Sequence, residues 1–165
     1  NPIEAYGQAE FAADAALVGV DGVLVVDYPP EECAEFSALL KQRGLDPIFL
    51  LAPTSTDQRI SEVAAAGGGY IYYVSLTGVT GSAKLDLDEV ARRIPAIRAR
   101  VGMPIGVGFG IRDGQTAARI AALADGVVVG SRIIEEVEQS SPDEAPRRVT
   151  ALLADIRQAM DAGVR

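Results

Sequence analysis

Short apolar, mostly β-branched runs alternate with longer Ala-rich stretches along this chain, and that alternation constrains the fold more than any other feature. Residues 22–26 read GVLVV, 47–51 PIFLL, 70–74 YIYYV, 105–107 IGV and 126–129 GVVV. Each is short, bounded by turn residues and apolar nearly throughout, as a strand buried on both faces must be. Between them the apolar residues recur at helical spacing. The pattern predicts helices over 3–17, from Pro30 to about 43, 57–66, 87–101, 113–123, 130–138 and 146–162. Pro29 and Pro30 end the first strand. Gly44 and the glycines at 67–69 stop the helices before them. Strand followed by helix, repeated, means a parallel sheet covered by helices. That leaves a doubly wound sheet or a (β/α)8 barrel, and periodicity alone does not choose between them.

The 165 residues amount to one domain, 1–165, long enough to bury a core. With no Trp and few other aromatics, that core is built from Ala, Val, Ile and Leu. A net charge of −8 with no basic run argues against nucleic acid as a partner. Cys33 is the only cysteine, so no disulfide forms within the chain, which fits the cytoplasm. No run approaches the roughly 18 apolar residues of a membrane span. Histidine is absent, removing the commonest general base and any His-ligated metal.

Two glycine pairs separate the two folds. Gly108-Phe109-Gly110 follows the fourth strand; Gly130-Ser131 follows the fifth, immediately before a short helix. In many barrels phosphate is held by the loops after the last two strands together with the N-terminus of a short extra helix. Glycines let the backbone approach the anion, and Ser131 adds a hydroxyl donor. The same glycines serve equally as tight turns or helix caps. A dinucleotide fingerprint fits worse, because 108–113 reads GFGIRD and lacks its third glycine. The barrel is therefore the expected fold.

Further candidates surround these pairs. The loop 75–84, SLTGVTGSAK, has the small and polar composition of a lid, with Gly78 and Gly81 as hinges; a plain connection is the alternative. Asp27, at a strand end, faces substrate or forms a turn before the prolines. Tyr70 and Tyr72 share one strand face, lining a pocket or filling the barrel. Arg112 and Arg132 assist phosphate, or are solvated or ion-paired. Glu135, Glu136 and Glu138 form a solvated face, and Cys33 is packing.

GVLVVDYPPEE at 22–32, PIFLLAPTSTDQRI at 47–60, GYIYYVSLTGVTG at 69–81, PIGVGFGI at 104–111 and ADGVVVGSRII at 124–134 together resemble the tryptophan synthase alpha subunit. NPIEAYG at 1–7 resembles that family's segment after its third strand, and the Y-x-Y-x-x-S-x-x-G-V-T-G loop is the most specific part. The resemblance implies a lyase of tryptophan biosynthesis. Such an enzyme cleaves indole-3-glycerol phosphate by a retro-aldol reaction to indole and glyceraldehyde 3-phosphate. It implies a phosphate site at Gly81, Phe109, Gly110, Gly130 and Ser131, and a substrate pocket that includes Asp27, Tyr72 and Phe109, with Thr80 contacting a catalytic carboxylate when the lid closes. Asn1 and Pro29 correspond to surfaces that meet a beta subunit in an alpha2-beta2 assembly. No cofactor is implied here; pyridoxal phosphate belongs to the beta subunit. One departure is Leu76, where some members carry Arg.

By the same resemblance, the family's two acid/base carboxylates lie before Asn1. The expectation is then an incomplete (β/α)8 barrel comprising strands four to eight, the C-terminal part of the subunit, with no catalytic residue of its own and inactive alone. Five strands would leave two bare edges, completed by another copy or fragment or by further residues of a longer chain. Two alternatives stay open: another phosphate-binding barrel enzyme acting on phosphoribosyl-type substrates, and a non-catalytic phosphate-binding regulatory subunit.

Overall fold

The computed structural model describes residues 1–77, 84–108 and 110–163. Helices α1 (Pro2–Tyr6) and α2 (Gln8–Leu17) precede strand β1 (Gly22–Leu24). They were expected as one helix. Gly7 divides them at φ 99, a left-handed angle that ends the first helix while its N–H still closes on the Ile3 carbonyl. Helix α3 (Ala34–Gln42) begins four residues later than Pro30. The proline pair forms a turn instead, with the Glu32 N–H donating to the Pro29 carbonyl.

Strand β2 (Asp46–Leu51), helix α4 (Asp57–Ala66) and strand β3 (Ile71–Val74) follow. The 75–84 segment is more ordered at its ends than its composition predicts: β4 (Leu76–Thr77) pairs antiparallel with β5 (Lys84–Leu85). Then come α5 (Leu87–Val101), β6 (Ile105–Gly108), α6 (Gly114–Ala121), β7 (Gly126–Val128), α7 (Ser131–Glu138) and α8 (Ala145–Gly163). The starts of α4, α5 and α6 are fixed by Thr56, Asp86 and Asp113, whose side chains accept from the N–H three residues on.

Five strands form one parallel sheet in the order β1-β2-β3-β6-β7. Each pairs with its neighbour without a gap, and eight helices accompany the sheet among the described residues. This arrangement is of the (β/α)8 type, which corrects the expectation of an incomplete barrel of strands four to eight: the sheet's own order is unbroken.

Register sorts the side chains onto two faces. Phe49, Leu51, Ile71, Tyr73, Ile105 and Val107 point toward the helices and join Ile60, Val63, Val90, Ile94, Ile97 and Ile120 in the main core. Tyr73 is fully buried there, and neither its hydroxyl nor the Arg93 Nε beside it has a hydrogen-bond partner. A second cluster, Ala12, Ala15, Phe36, Leu40 and Leu45, seats α2 and α3 at the β1 edge. No described helix is long and apolar enough to cross a membrane.

Candidate functional site

The opposite face of the sheet carries Tyr70 and Tyr72 next to the glycines of β6. A Cβ added at Gly106 would touch the Tyr70 ring at 3.4 Å; one at Gly108 would stand 2.6 Å from Tyr72 Cζ. The two tyrosines thus occupy the room that missing side chains leave on the adjacent strand. Both readings of Tyr72 fit this placement: it is half-buried on the face of the sheet opposite the main core, and it stands near the C-terminal end of β3. Burial pushes its phenol above the usual range, helped by Tyr70, so the hydroxyl stays protonated.

Beyond Tyr72 the end of β6 is held from β3. The Gly108 carbonyl accepts from the Ser75 N–H at 3.1 Å and from Ser75 Oγ at 2.6 Å, and Ser75 is fully buried. Ser75 was not singled out from the sequence, although it lies in the most specific motif. Gly110 has φ 74, so its glycine is required by the turn itself. Phe109, Thr80 and Gly81 lie outside the described residues.

One strand further, Gly130 leads into α7. It offers no side-chain cap, and the first turn of α7 contains no acidic residue. The first N–H groups of any helix lack intrahelical acceptors, so those at Ser131 and Arg132 face outward with the positive end of the helix dipole. A Cβ at Gly130 would meet nothing within 4 Å, so glycine there leaves space that the chain itself does not use. Gly108 pairs with Val128 in the β6–β7 register, which sets the two loops side by side.

Charged side chains link these loops. Arg112 donates to Glu135 Oε2 at 2.5 Å, across from the β6–α6 turn to α7, and the pairing raises its pKa further. Arg132 reaches the same Glu135 oxygen at 3.8 Å and makes a shorter contact with Glu136. Arg148 of α8 binds Glu136 Oε2 at 2.8 Å and the Gln139 carbonyl at 3.0 Å. Arg112 and Arg132 are therefore ion-paired, one of the alternatives. Glu136 departs from the expected solvated face: it is buried, and its hydrogen bond from Arg132, then Arg148, holds its carboxyl below the usual range. The i,i+4 spacing from Arg132 was a legible signal for the first contact; the Arg148 contact depends on how α8 packs.

Other predicted residues lie elsewhere. Asp27 is exposed in the turn after β1, four strand spacings from β7, or about 19 Å along the sheet. Asn1 caps α1 through the Ile3 N–H at 2.9 Å. Pro29 sits in the same β1 loop as Asp27, and the Tyr28 hydroxyl between them binds Glu4 of α1, bringing Asn1 and Pro29 onto neighbouring elements. Cys33 is buried, 3.6 Å from the Pro30 carbonyl, as packing requires. The described residues contain no cluster of carboxylates and cysteines suited to a metal.

The chain matches the family model of the tryptophan synthase alpha chain over residues 1–164. It is 67% identical to the tryptophan synthase alpha chain of Azoarcus sp. (strain BH72), covering 98% of this chain and 59% of that one. The Dechloromonas aromatica alpha chain is 62% identical, with 98% and 60% covered. Among solved structures, tryptophan synthase subunit alpha from Legionella pneumophila superposes with a TM-score of 0.86 at 36% identity, covering 98% of this chain and 60% of that one. A Mycobacterium tuberculosis tryptophan synthase structure gives 0.85 at 34% identity, covering 97% and 59%. The chain thus spans about three fifths of the length of these relatives.

Two expectations give way to these matches. The description as a C-terminal part starting at the end of strand three yields to a match that runs over nearly the whole chain, 1–164. The expectation of a chain lacking catalytic residues and inactive alone is overturned by 67% identity across 98% of its residues, which gives inactivity no support. That expectation carried a catalytic deficit over from the resemblance, with nothing in the residues present to require it. On the family match and on these identities, the chain belongs to the tryptophan synthase alpha chain family.

Proposed function

We propose that the protein cleaves indole-3-glycerol phosphate to indole and glyceraldehyde 3-phosphate by retro-aldol chemistry, and that the loops after β6 and β7 hold the substrate's phosphate. The observation that carries the reading is the uncapped start of α7 at Gly130-Ser131, with open space over Gly130, beside the end of β6. Backbone N–H groups and a helix dipole bind a dianion without any basic side chain, which suits a chain of net charge −8. Gly110, Gly130 and Ser131, with Phe109 and Gly81, form the phosphate site. Tyr72 and Asp27 border the substrate pocket, and Thr80 acts in the lid.

Indole passes to a beta subunit in an alpha2-beta2 assembly, in the cytoplasm. Asn1 and Pro29 lie on the surface that meets the beta subunit, and the pyridoxal phosphate resides in that partner.

The test is turnover of indole-3-glycerol phosphate by the intact protein, followed as glyceraldehyde 3-phosphate released. Gly130→Asp fills the space over α7 with a carboxylate and is expected to raise KM by about a hundredfold or more, since it both blocks and repels the phosphate. Turnover with an unchanged KM in this variant would remove the phosphate reading.

A further inference from the structure

Helix α7 presents the proposed phosphate-binding N–H groups, yet almost nothing apolar fixes where it lies. Its one buried residue is Glu136. Ile134 and Val137 are 55% and 45% exposed. Open grooves of about 460 and 530 Å³ run on either side of Ile133, between α7 and its neighbours β7 and α8. A helix set by core packing fills such space with interlocking side chains. Here the defined contacts to neighbouring elements are ionic: Arg112 to Glu135, and Arg148 of α8 to Glu136, whose other partner, Arg132, lies on α7 itself. Arg148 also holds the Gln139 carbonyl at the end of α7.

We infer that the Arg112–Glu135 ion pair is a clasp that sets the spacing between the two phosphate-holding loops, with Glu136 and Arg148 as its anchor. Arg112 stands two residues past Gly110, and Glu135 five residues past Gly130, so the pair ties one loop directly to the other. These are positioning residues: they act through the backbone N–H groups they align and need not touch the anion. The inference rests on the phosphate reading above.

The sign of one substitution separates a clasp from simple electrostatics. Deleting the Glu135 carboxylate removes a negative charge near an anion site, so Coulomb's law alone predicts tighter binding. A clasp predicts weaker binding. Inorganic phosphate is titrated into the intact protein, wild type and variants, by calorimetry at low salt, with thermal unfolding measured in parallel. Glu135→Ala and Arg112→Ala are each expected to weaken phosphate binding about fivefold, while the unfolding temperature moves by less than about 2 °C, as for exposed residues. The exchanged pair, R112E with E135R, restores most of the affinity. Tighter or unchanged binding in Glu135→Ala overturns the clasp, as does an exchanged pair no better than Arg112→Ala, which would mean that Arg112 contacts phosphate itself. Absence of phosphate binding by the wild type overturns the phosphate reading instead.

Discussion

Replacing Gly108 by alanine tests the interlock between β3 and β6. The new Cβ would run into the Tyr72 hydroxyl first, and would lie 2.6 Å from Cζ and 3.0 Å from Cε1. Carbon atoms in contact rest about 3.5–4.0 Å apart, so the ring must withdraw by roughly 1 Å. Withdrawal forces Tyr72 off its rotamer or bends a strand end already fixed by Ser75. Overpacking of this kind costs about 1–3 kcal/mol. For a chain of this size each kcal/mol lowers the midpoint by about 2–4 °C. Urea and thermal unfolding of four proteins measure it: wild type, Gly108→Ala, Tyr72→Ala and the double variant. The cost of Gly108→Ala should largely vanish on the Tyr72→Ala background, because the clashing ring is gone. On a Tyr72→Phe background it should be relieved only in part, since the hydroxyl, the nearest clashing atom, is gone while Cζ stays in place. An equal cost with and without the ring, or full relief from loss of the hydroxyl alone, would refute the steric account.

Ser75→Ala removes one of two hydrogen bonds to the Gly108 carbonyl, while the backbone N–H keeps the other. Urea unfolding should show a loss of about 0.5–1.5 kcal/mol. Tyr73 carries a buried, unpartnered hydroxyl, and burial pushes its pKa from 10 to about 12. The neutral form is favoured in the folded state, so the stability this contributes is present below pH 10 and lost as pH rises toward 12. Tyr73→Phe should flatten that alkaline decline and leave stability near pH 7 equal or higher, as judged by unfolding at both pH values. Glu136 shifts the opposite way: its carboxyl is held low by Arg132 and Arg148, so its contribution is present above the ordinary carboxylate value and is lost as pH falls through the lowered one. Glu136→Gln should remove this acid-side component, and hydrogen exchange in α7 should report it most strongly.

The fold was largely legible because strands buried on both faces write themselves as unbroken apolar runs. β2, β3 and β6 were found in this way to within a residue. α5 was legible to the residue, since Asp86, the periodic apolar positions and Gly102 mark its start, face and end. The errors lie where a single backbone angle or an imide overrides composition. Gly7 splits a helix whose side chains read as continuous, and Pro29-Pro30 makes a turn where a helix start was expected. At the site, the glycines could be located but their duties could not. Gly110 answers to a turn, Gly108 to a tyrosine on another strand, and Gly130 to neither. Sequence records the missing side chain without recording what fills the space. Glu136 was misread for a related reason: its burial depends on Arg148, which stands twelve positions away on another helix.

The seating of Tyr70 over Gly106 and Tyr72 over Gly108 also bears on how the sheet assembles. β3 and β6 are more than thirty residues apart in the chain, so their pairing is non-local and carries a loop-closure cost. Sliding β6 by two residues would keep every side chain on its proper face, and hydrophobic patterning alone would tolerate the slip. The rings would resist it in one direction, where Tyr70 is driven onto Pro104. In the other direction they would meet Gly108 and Gly110, so there the end of β6, held by Ser75, and not the glycines, must fix the alignment. The glycines of β6 thus act as notches that seat the rings, and Pro104 is the stop on one side.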